Sequence, residues 1–263
     1  MSSILRYIGT KDLDLIKELK DKYLIYCEPF GGSFSTGINL VNAGFNGKLI
    51  YNDLDESVVN FWRAIKTDSQ KVYKLCEIYN DILNELESDE LRSEVLQTLL
   101  KEKNEFKRAA AEYLYRTHLT MKGISWLRDK LYNDEYDFCI EEYNMHNVEI
   151  LNLDYKEVIK NTDSEKTFML IDPPYEIPKV NNYYRGNCKR FNHDELAKLI
   201  KTLKCGWLLT YNKNQHILKL YKGYNIFEVN RSFMGITYTE LYITNTEIEF
   251  TNKKHSNSIN GFK

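Results

Sequence analysis

The sequence predicts an α/β fold: a mostly parallel sheet, one inserted module, and an antiparallel hairpin near the carboxyl end. Three observations predict it. Short apolar runs of strand character alternate with helical patterns, the rhythm of parallel α/β architecture. The alternation is interrupted once, between about Lys66 and Asn147, where a long helical stretch rich in Glu and Lys gives way to an aromatic, turn-rich piece. The last two strand-like runs are close enough in sequence to pair as a hairpin.

In chain order, Leu13 to Leu19 reads as a short amphipathic helix and Tyr23 to Cys27 as a strand. Thr36 to Ala43 reads as a helix, Lys48 to Tyr51 as a second strand, and Ser57 to Ile65 as the helix leading into the insertion. After the insertion come strand-like runs at Val148 to Leu151, Thr167 to Ile171, Gly206 to Tyr211, Tyr224 to Val229 and Tyr238 to Thr244, with helices beginning near Tyr155 and His193. The sequence thus divides into a main α/β unit (1–66 and 148–250), an inserted module (67–147) and a polar, loose tail (251–263).

Composition narrows the function classes. A chain of 263 residues can bury a full core, and 43% apolar with 28% charged residues is ordinary for a globular protein. A net charge of -2 excludes a uniformly basic coat, so a nucleic-acid surface must be a local patch. Cys27, Cys76, Cys139, Cys188 and Cys205 have no paired spacing, which fits a reduced compartment and suggests no zinc site. There is no signal peptide and no apolar run long enough to cross a bilayer, so a cytoplasmic protein without membrane contact is expected.

The most informative segment is Asp172-Pro173-Pro174-Tyr175, entered from the apolar run Phe168 to Ile171. Consecutive prolines fix φ and carry no N–H, leaving carbonyl acceptors beside the Asp172 carboxylate. Two such acceptors suit a planar amine. Holding both hydrogens of an exocyclic amine directs its lone pair, otherwise drawn into the ring, toward an electrophile, and Tyr175 supplies a face for the base. A surface Pro-Pro turn preceded by a turn-forming Asp is the plainer alternative.

Phe30-Gly31-Gly32-Ser33 follows the first strand and opens a helix, where glycines permit close approach and helix N–H groups meet anions. Asp53 follows the second strand, where dinucleotide-binding folds bond a ribose diol. The pair suggests a nucleoside-bearing cofactor, although Asp53 also suits a plain turn. A nicotinamide dinucleotide would satisfy both features but leaves Asp172 to Tyr175 without a role.

With Arg6-Tyr7-Ile8-Gly9-Thr10-Lys11, Glu28-Pro29-Phe30-Gly31-Gly32-Ser33, Asn52-Asp53-Leu54-Asp55, Asn152-Leu153-Asp154-Tyr155 and the Asp172 motif in that order, the chain resembles the Dam-type (DPPY, alpha-group) DNA adenine-N6 methyltransferases over roughly residues 5 to 245. The resemblance implies a Rossmann-like methyltransferase sheet and the methyl donor S-adenosyl-L-methionine (AdoMet). It implies that the donor's methionine end sits by the glycine turn, that Asp53 holds its ribose, that Asp154 and Tyr155 touch its adenine, and that Tyr7 and Lys11 close over it. On residue type alone, Tyr7 suits a core, Lys11 a solvated helix start and Asp154 a helix N-cap.

The insertion is the candidate for reading DNA. It interleaves Lys101, Lys103, Lys107, Arg108, Arg116, Lys122, Arg128 and Lys130 with Phe106, Tyr113, Tyr115 and Trp126. The strongest part is Arg116 to Lys130, whose Gly123 aligns with the glycine before the family's DNA-binding hairpin; Asp68 to Asn104 suits a solvated Glu/Lys helix. The family's Tyr-Asn pair and following basic residue, typical of GATC readers, are here Met121-Lys122 and Trp126, so no recognition sequence is transferred. A second basic, aromatic loop, with Lys179, Tyr183, Tyr184, Arg185, Lys189 and Arg190, follows the Asp172 motif and is placed to clamp a strand.

The reaction expected is direct methyl transfer to N6 of a flipped-out adenine in double-stranded DNA, without metal and without a cysteine nucleophile. The same acceptor geometry leaves open cytosine N4, adenine in RNA, and a binding protein that has lost catalysis. A cognate restriction endonuclease stands as the candidate protein partner, marked by no residue of this chain.

Overall fold

A computed structural model of the protein describes Leu5 and residues 13–116, 145–175, 191–233, 236–248 and 256–258. Before the insertion come α1 (Ile16–Leu19), β1 (Ile25–Glu28), α2 (Ser35–Asn42), β2 (Lys48–Asn52) and the long α3 (Glu56–Asn84). The insertion adds α4 (Asp89–Leu99) and α5 (Glu105–Leu114). There follow β3 (Val148–Leu151), α6 (Tyr155–Thr162), β4 (Thr167–Ile171), α7 (His193–Ile200), β5 (Gly206–Asn212), α8 (Gln215–Leu220), the hairpin β6 (Asn225–Phe233) and β7 (Ile236–Thr244), and the edge strand β8 (Ser256–Ser258).

The sheet order is β3-β2-β1-β4-β5-β7-β6-β8. β1 to β5 run parallel, while β7 joins β5 antiparallel and pairs with β6, as their proximity in sequence predicts. This is the Rossmann-like methyltransferase arrangement. Its order reverses between β1 and β4, so the crevice beyond their carboxyl ends is the switch point at which such sheets bind ligands.

Alternation along the strands feeds two cores. Tyr26, Leu49, Tyr51, Phe168 and Leu170 bury on one face against α2, α3 and α5; Cys27, Ile50, Met169, Ile171 and Leu209 bury on the other against α6 and α7. Among the described residues, the insertion's helices share the core of the sheet. Val72, Cys76 and Leu83 of α3 and Ala109 to Ala111 of α5 belong to the same cluster as the sheet face.

Local chemistry sets the boundaries. Asp55 caps α3 by accepting from the Ser57 N–H at 3.1 Å. Helical geometry breaks within α3 at Asp68 (φ −161°, ψ 87°), whose Oδ1 accepts from the Lys71 N–H at 2.9 Å and restarts the helix. Asn104 caps α5 by accepting from Phe106 and Lys107. α8 is too short to announce itself by periodicity: Ile217 is its buried residue, and Asn214 caps it through the Ile217 N–H.

Candidate active site

Five parallel strands lie side by side, and hydrogen bonds tie together the turns that follow three of them. Asn52, ending β2 and 1% exposed, donates from Nδ2 to the carbonyls of Pro29 (2.9 Å) and Leu153 (3.1 Å), while its Oδ1 accepts from the Leu153 N–H at 2.9 Å. Asn152 donates to the Asp53 carbonyl at 2.8 Å. The turns after β1, β2 and β3 are thereby one assembly. Asn52 and Asn152 lie inside quoted motifs, but their residue types alone gave no sign of this clasp.

The glycine turn is built from within. Gly32 adopts φ +45°, and its N–H donates to Asp53 Oδ2 at 2.9 Å. A Cβ on Gly31 would lie 2.3 Å from the Tyr51 ring, so this glycine is required by packing beneath the turn. The Gly32 carbonyl accepts from the Tyr51 hydroxyl (3.2 Å) and Trp62 Nε1 (3.1 Å). Asp53 Oδ1 accepts from the Asp55 N–H at 2.9 Å. Burial pushes the Asp53 carboxyl up to about 6 against those two N–H groups and the Arg116 charge, which lower it.

Beneath the turn, Glu28 is 5% exposed and accepts on Oε1 from the Tyr26 hydroxyl (2.7 Å) and the Gly37 N–H (2.9 Å). It serves a first-turn N–H of α2, whose N-cap residue Phe34 makes no side-chain cap. Burial pushes its carboxyl up to about 8.

Across the switch point, Asp172 follows β4 directly. Its Oδ1 accepts from the Thr210 hydroxyl of β5 and lies 3.2 Å from the Tyr175 hydroxyl. That hydroxyl also lies 3.1 Å from Glu240 Oε1 of β7, so its one proton serves one carboxylate at a time. Burial, then the charges of Asp172 and Glu240, raise Tyr175 well above the usual phenol range. Arg231 pairs with Glu240 at 3.3 Å and also bonds the Tyr242 hydroxyl. Thr210 and Glu240, both buried, carry no motif of their own.

Aromatic rings line the space between these turns. Phe30, Tyr155 and Phe191 are in mutual contact, with centroids 5.0, 5.6 and 5.4 Å apart. Phe191 leads through His193 to Tyr211, whose hydroxyl lies 2.9 Å from His193 Nδ1 and whose ring is 5.9 Å from that of Tyr175. Phe191, His193 and Tyr211 had no sequence signal beyond their proximity to predicted strand and helix ends.

Other candidates fall differently. Asp154 is exposed and caps α6, its Oδ1 accepting from the Lys156 N–H at 2.8 Å. Arg116, expected on DNA, is 4% exposed and forked on two carboxylates: Glu112 at 2.5 Å and Asp55 at 3.1 Å. Tyr113 and Tyr115 are core residues, and Lys71 sits 4.0 Å over the Phe106 ring. Tyr7, Lys11, Lys122, Trp126, Arg128, Lys130, Lys179, Tyr183, Tyr184, Arg185, Lys189 and Arg190 lie outside the described residues.

Among the described residues no helix is long and apolar enough to cross a membrane, and no group of three or more His, Cys, Asp or Glu side chains could hold a metal ion. The chain is similar to the Type II methyltransferase M.MjaIII of Methanocaldococcus jannaschii, at 27% identity over 244 residues covering 82% of this chain and 84% of that protein. Residues 7–234, spanning the glycine turn, the Asp53 turn, the insertion, the Asp172 motif and the start of the hairpin, match the family described as D12 class N6 adenine-specific DNA methyltransferase, and the chain belongs to that family.

Proposed function

We propose that this adenine-specific DNA methyltransferase transfers the methyl group of S-adenosyl-L-methionine to N6 of an adenine flipped out of duplex DNA, with the base held by Asp172 to Tyr175. The observation that carries this reading is the position of Asp172, Pro173, Pro174 and Tyr175 immediately after β4, across the switch point from the glycine turn after β1.

The residues fit the methyl donor chemically. Asp53 is a carboxylate fixed by two N–H groups and suited to a ribose diol. The half-buried rings of Phe30 and Tyr155 offer flat faces for a purine, while Gly31 and Gly32 keep side chains out of the turn. Tyr7, Lys11 and Asp154 complete the proposed set. When bound, AdoMet supplies an activated sulfonium methyl. The chain orients the acceptor: the Asp172 carboxylate and the Pro173 carbonyl accept the two N6 hydrogens and stabilise positive charge growing on the nitrogen. Tyr175 stacks on the base, and the proton leaves to water after transfer.

Lys122, Trp126, Arg128, Tyr184, Arg185, Lys189 and Arg190 are the proposed DNA contacts. Residues 67–147 form the target-recognition module of a catalytic unit made by 1–66 and 148–250. The protein would act in the cytoplasm, with a restriction endonuclease as its candidate partner.

Nucleoside mass spectrometry on unmethylated duplex DNA incubated with AdoMet tests the reading, with wild type beside Asp172→Ala. N6-methyladenine from the wild type alone is expected. N4-methylcytosine would move the target base, and no methylated nucleoside on DNA of diverse sequence would leave RNA or a binding role.

A further inference from the structure

An unbroken series of hydrogen bonds joins the end of α5 to the glycine turn. Arg116 Nη2 donates to Asp55 Oδ2 at 3.1 Å, the Asp55 N–H donates to Asp53 Oδ1 at 2.9 Å, and the Gly32 N–H donates to Asp53 Oδ2 at 2.9 Å. Asp55 is also held from the other side, its Oδ1 accepting from the Ser57 N–H at 3.1 Å and the Ser57 hydroxyl at 2.6 Å. The turn that carries Asp53 is thus pinned between the start of α3 and an arginine contributed by the insertion.

The energetics explain why the arginine matters. Asp55 and Glu112 place two carboxyl groups on one guanidinium, whose side chain is 5% exposed, and its charge also acts on Asp53. A charge this enclosed persists because its fork meets two carboxylates at once, and removing it would leave buried negative charge unbalanced.

We propose that Arg116 is a positioning residue of the cofactor site, holding Asp55 and through it Asp53 and Gly32, so that an insertion residue helps set affinity for the methyl donor. This inference rests on the reading that the glycine turn and Asp53 hold AdoMet. Among the described residues, the charged groups facing Asp53 are Asp55 on its own turn and Arg116 just beyond α5. Losing the Arg116 charge would make Asp53 easier to protonate.

Calorimetric titration of AdoMet into the full-length protein without DNA, between pH 5 and 8, tests the proposal. Arg116→Gln is expected to bind AdoMet about tenfold more weakly than wild type, with the acid-side loss of affinity moved to higher pH. Arg116→Lys keeps the charge but not the fork, so intermediate affinity with an acid limb near that of wild type is expected, which keeps the test open should Arg116→Gln fail to fold. Glu112→Gln, which removes the arginine's other partner, should lower thermal stability while largely retaining AdoMet affinity. Unchanged AdoMet affinity and pH profile in Arg116→Gln, with weakened duplex binding by gel shift, would overturn the proposal and return Arg116 to DNA. Failure of the wild type to bind AdoMet would instead remove the cofactor reading beneath it.

Discussion

Thr210, buried on β5, donates its hydroxyl to Oδ1 of Asp172 at the end of the neighbouring strand β4. A hydroxyl that cannot reach solvent fixes which way the carboxylate faces. Thr210→Val keeps the shape and removes the donor, so kcat should fall by about 10- to 100-fold through misorientation, with little change in AdoMet affinity. Thr210→Ser should stay near wild type. Single-turnover rates beside equilibrium AdoMet binding separate the effects, and a valine variant with wild-type kcat would show that Asp172 needs no such support.

The Tyr175 ring and hydroxyl have separable tasks. The hydroxyl stands between Asp172 and Glu240, at 3.2 and 3.1 Å, and separates two negative groups. Tyr175→Phe should retain the stacking face and lose stability by about 1 kcal/mol, with a modest fall in kcat. Tyr175→Ala removes the face and should lose far more in kcat. Equal losses in both variants would assign the tyrosine's contribution to its hydroxyl.

Much of this site was legible because its motifs follow strand ends. An apolar run ending at Ile171 announces both β4 and the location of Asp172, and the spacing of β1, the glycine turn, β2 and Asp53 follows from one βαβ unit. Asn52, Thr210 and Glu240 were less legible. A buried polar residue is defined by its partner, and these partners stand on strands or turns far away in sequence: Asn52 meets Leu153 across 101 residues, and Tyr175 meets Glu240 across 65. Arg116 shows the same limit in reverse. Its residue type and basic neighbourhood suited phosphate, while Asp55, 61 residues earlier, holds its charge inside the protein.

Asp53 gives cofactor binding a pH dependence of known sign. Its ionised form accepts from Gly32 and Asp55 and would accept from a ribose diol, and burial pushes its carboxyl up to about 6. AdoMet affinity should therefore be full above about pH 7 and decline as pH falls through 6. Asp53→Asn should bind AdoMet weakly at every pH, because an amide offers one acceptor where the turn needs two. Titrations at pH 5.5 and 7.5 would decide it; an asparagine variant that binds like wild type at pH 7.5 removes Asp53 from the cofactor.

Glu28 ties folding stability to low pH. Burial lifts its carboxyl from 4.5 to about 8, so between those values the folded chain holds a proton that the unfolded chain has released. This group therefore favours folding most at low pH, and its contribution falls as pH rises toward 8, by up to about 1.4 kcal/mol per unit. Glu28→Gln keeps an Oε1 acceptor for the Tyr26 hydroxyl and the Gly37 N–H and cannot ionise. Urea unfolding should find the two proteins similar near pH 5, with the glutamine variant more stable by about 2 to 4 kcal/mol at pH 8. Because Asp53 titrates in both, the difference between the two curves isolates Glu28. Parallel curves, or a glutamine variant that weakens as pH rises, would mean that the folded chain accommodates the Glu28 charge beneath the glycine turn.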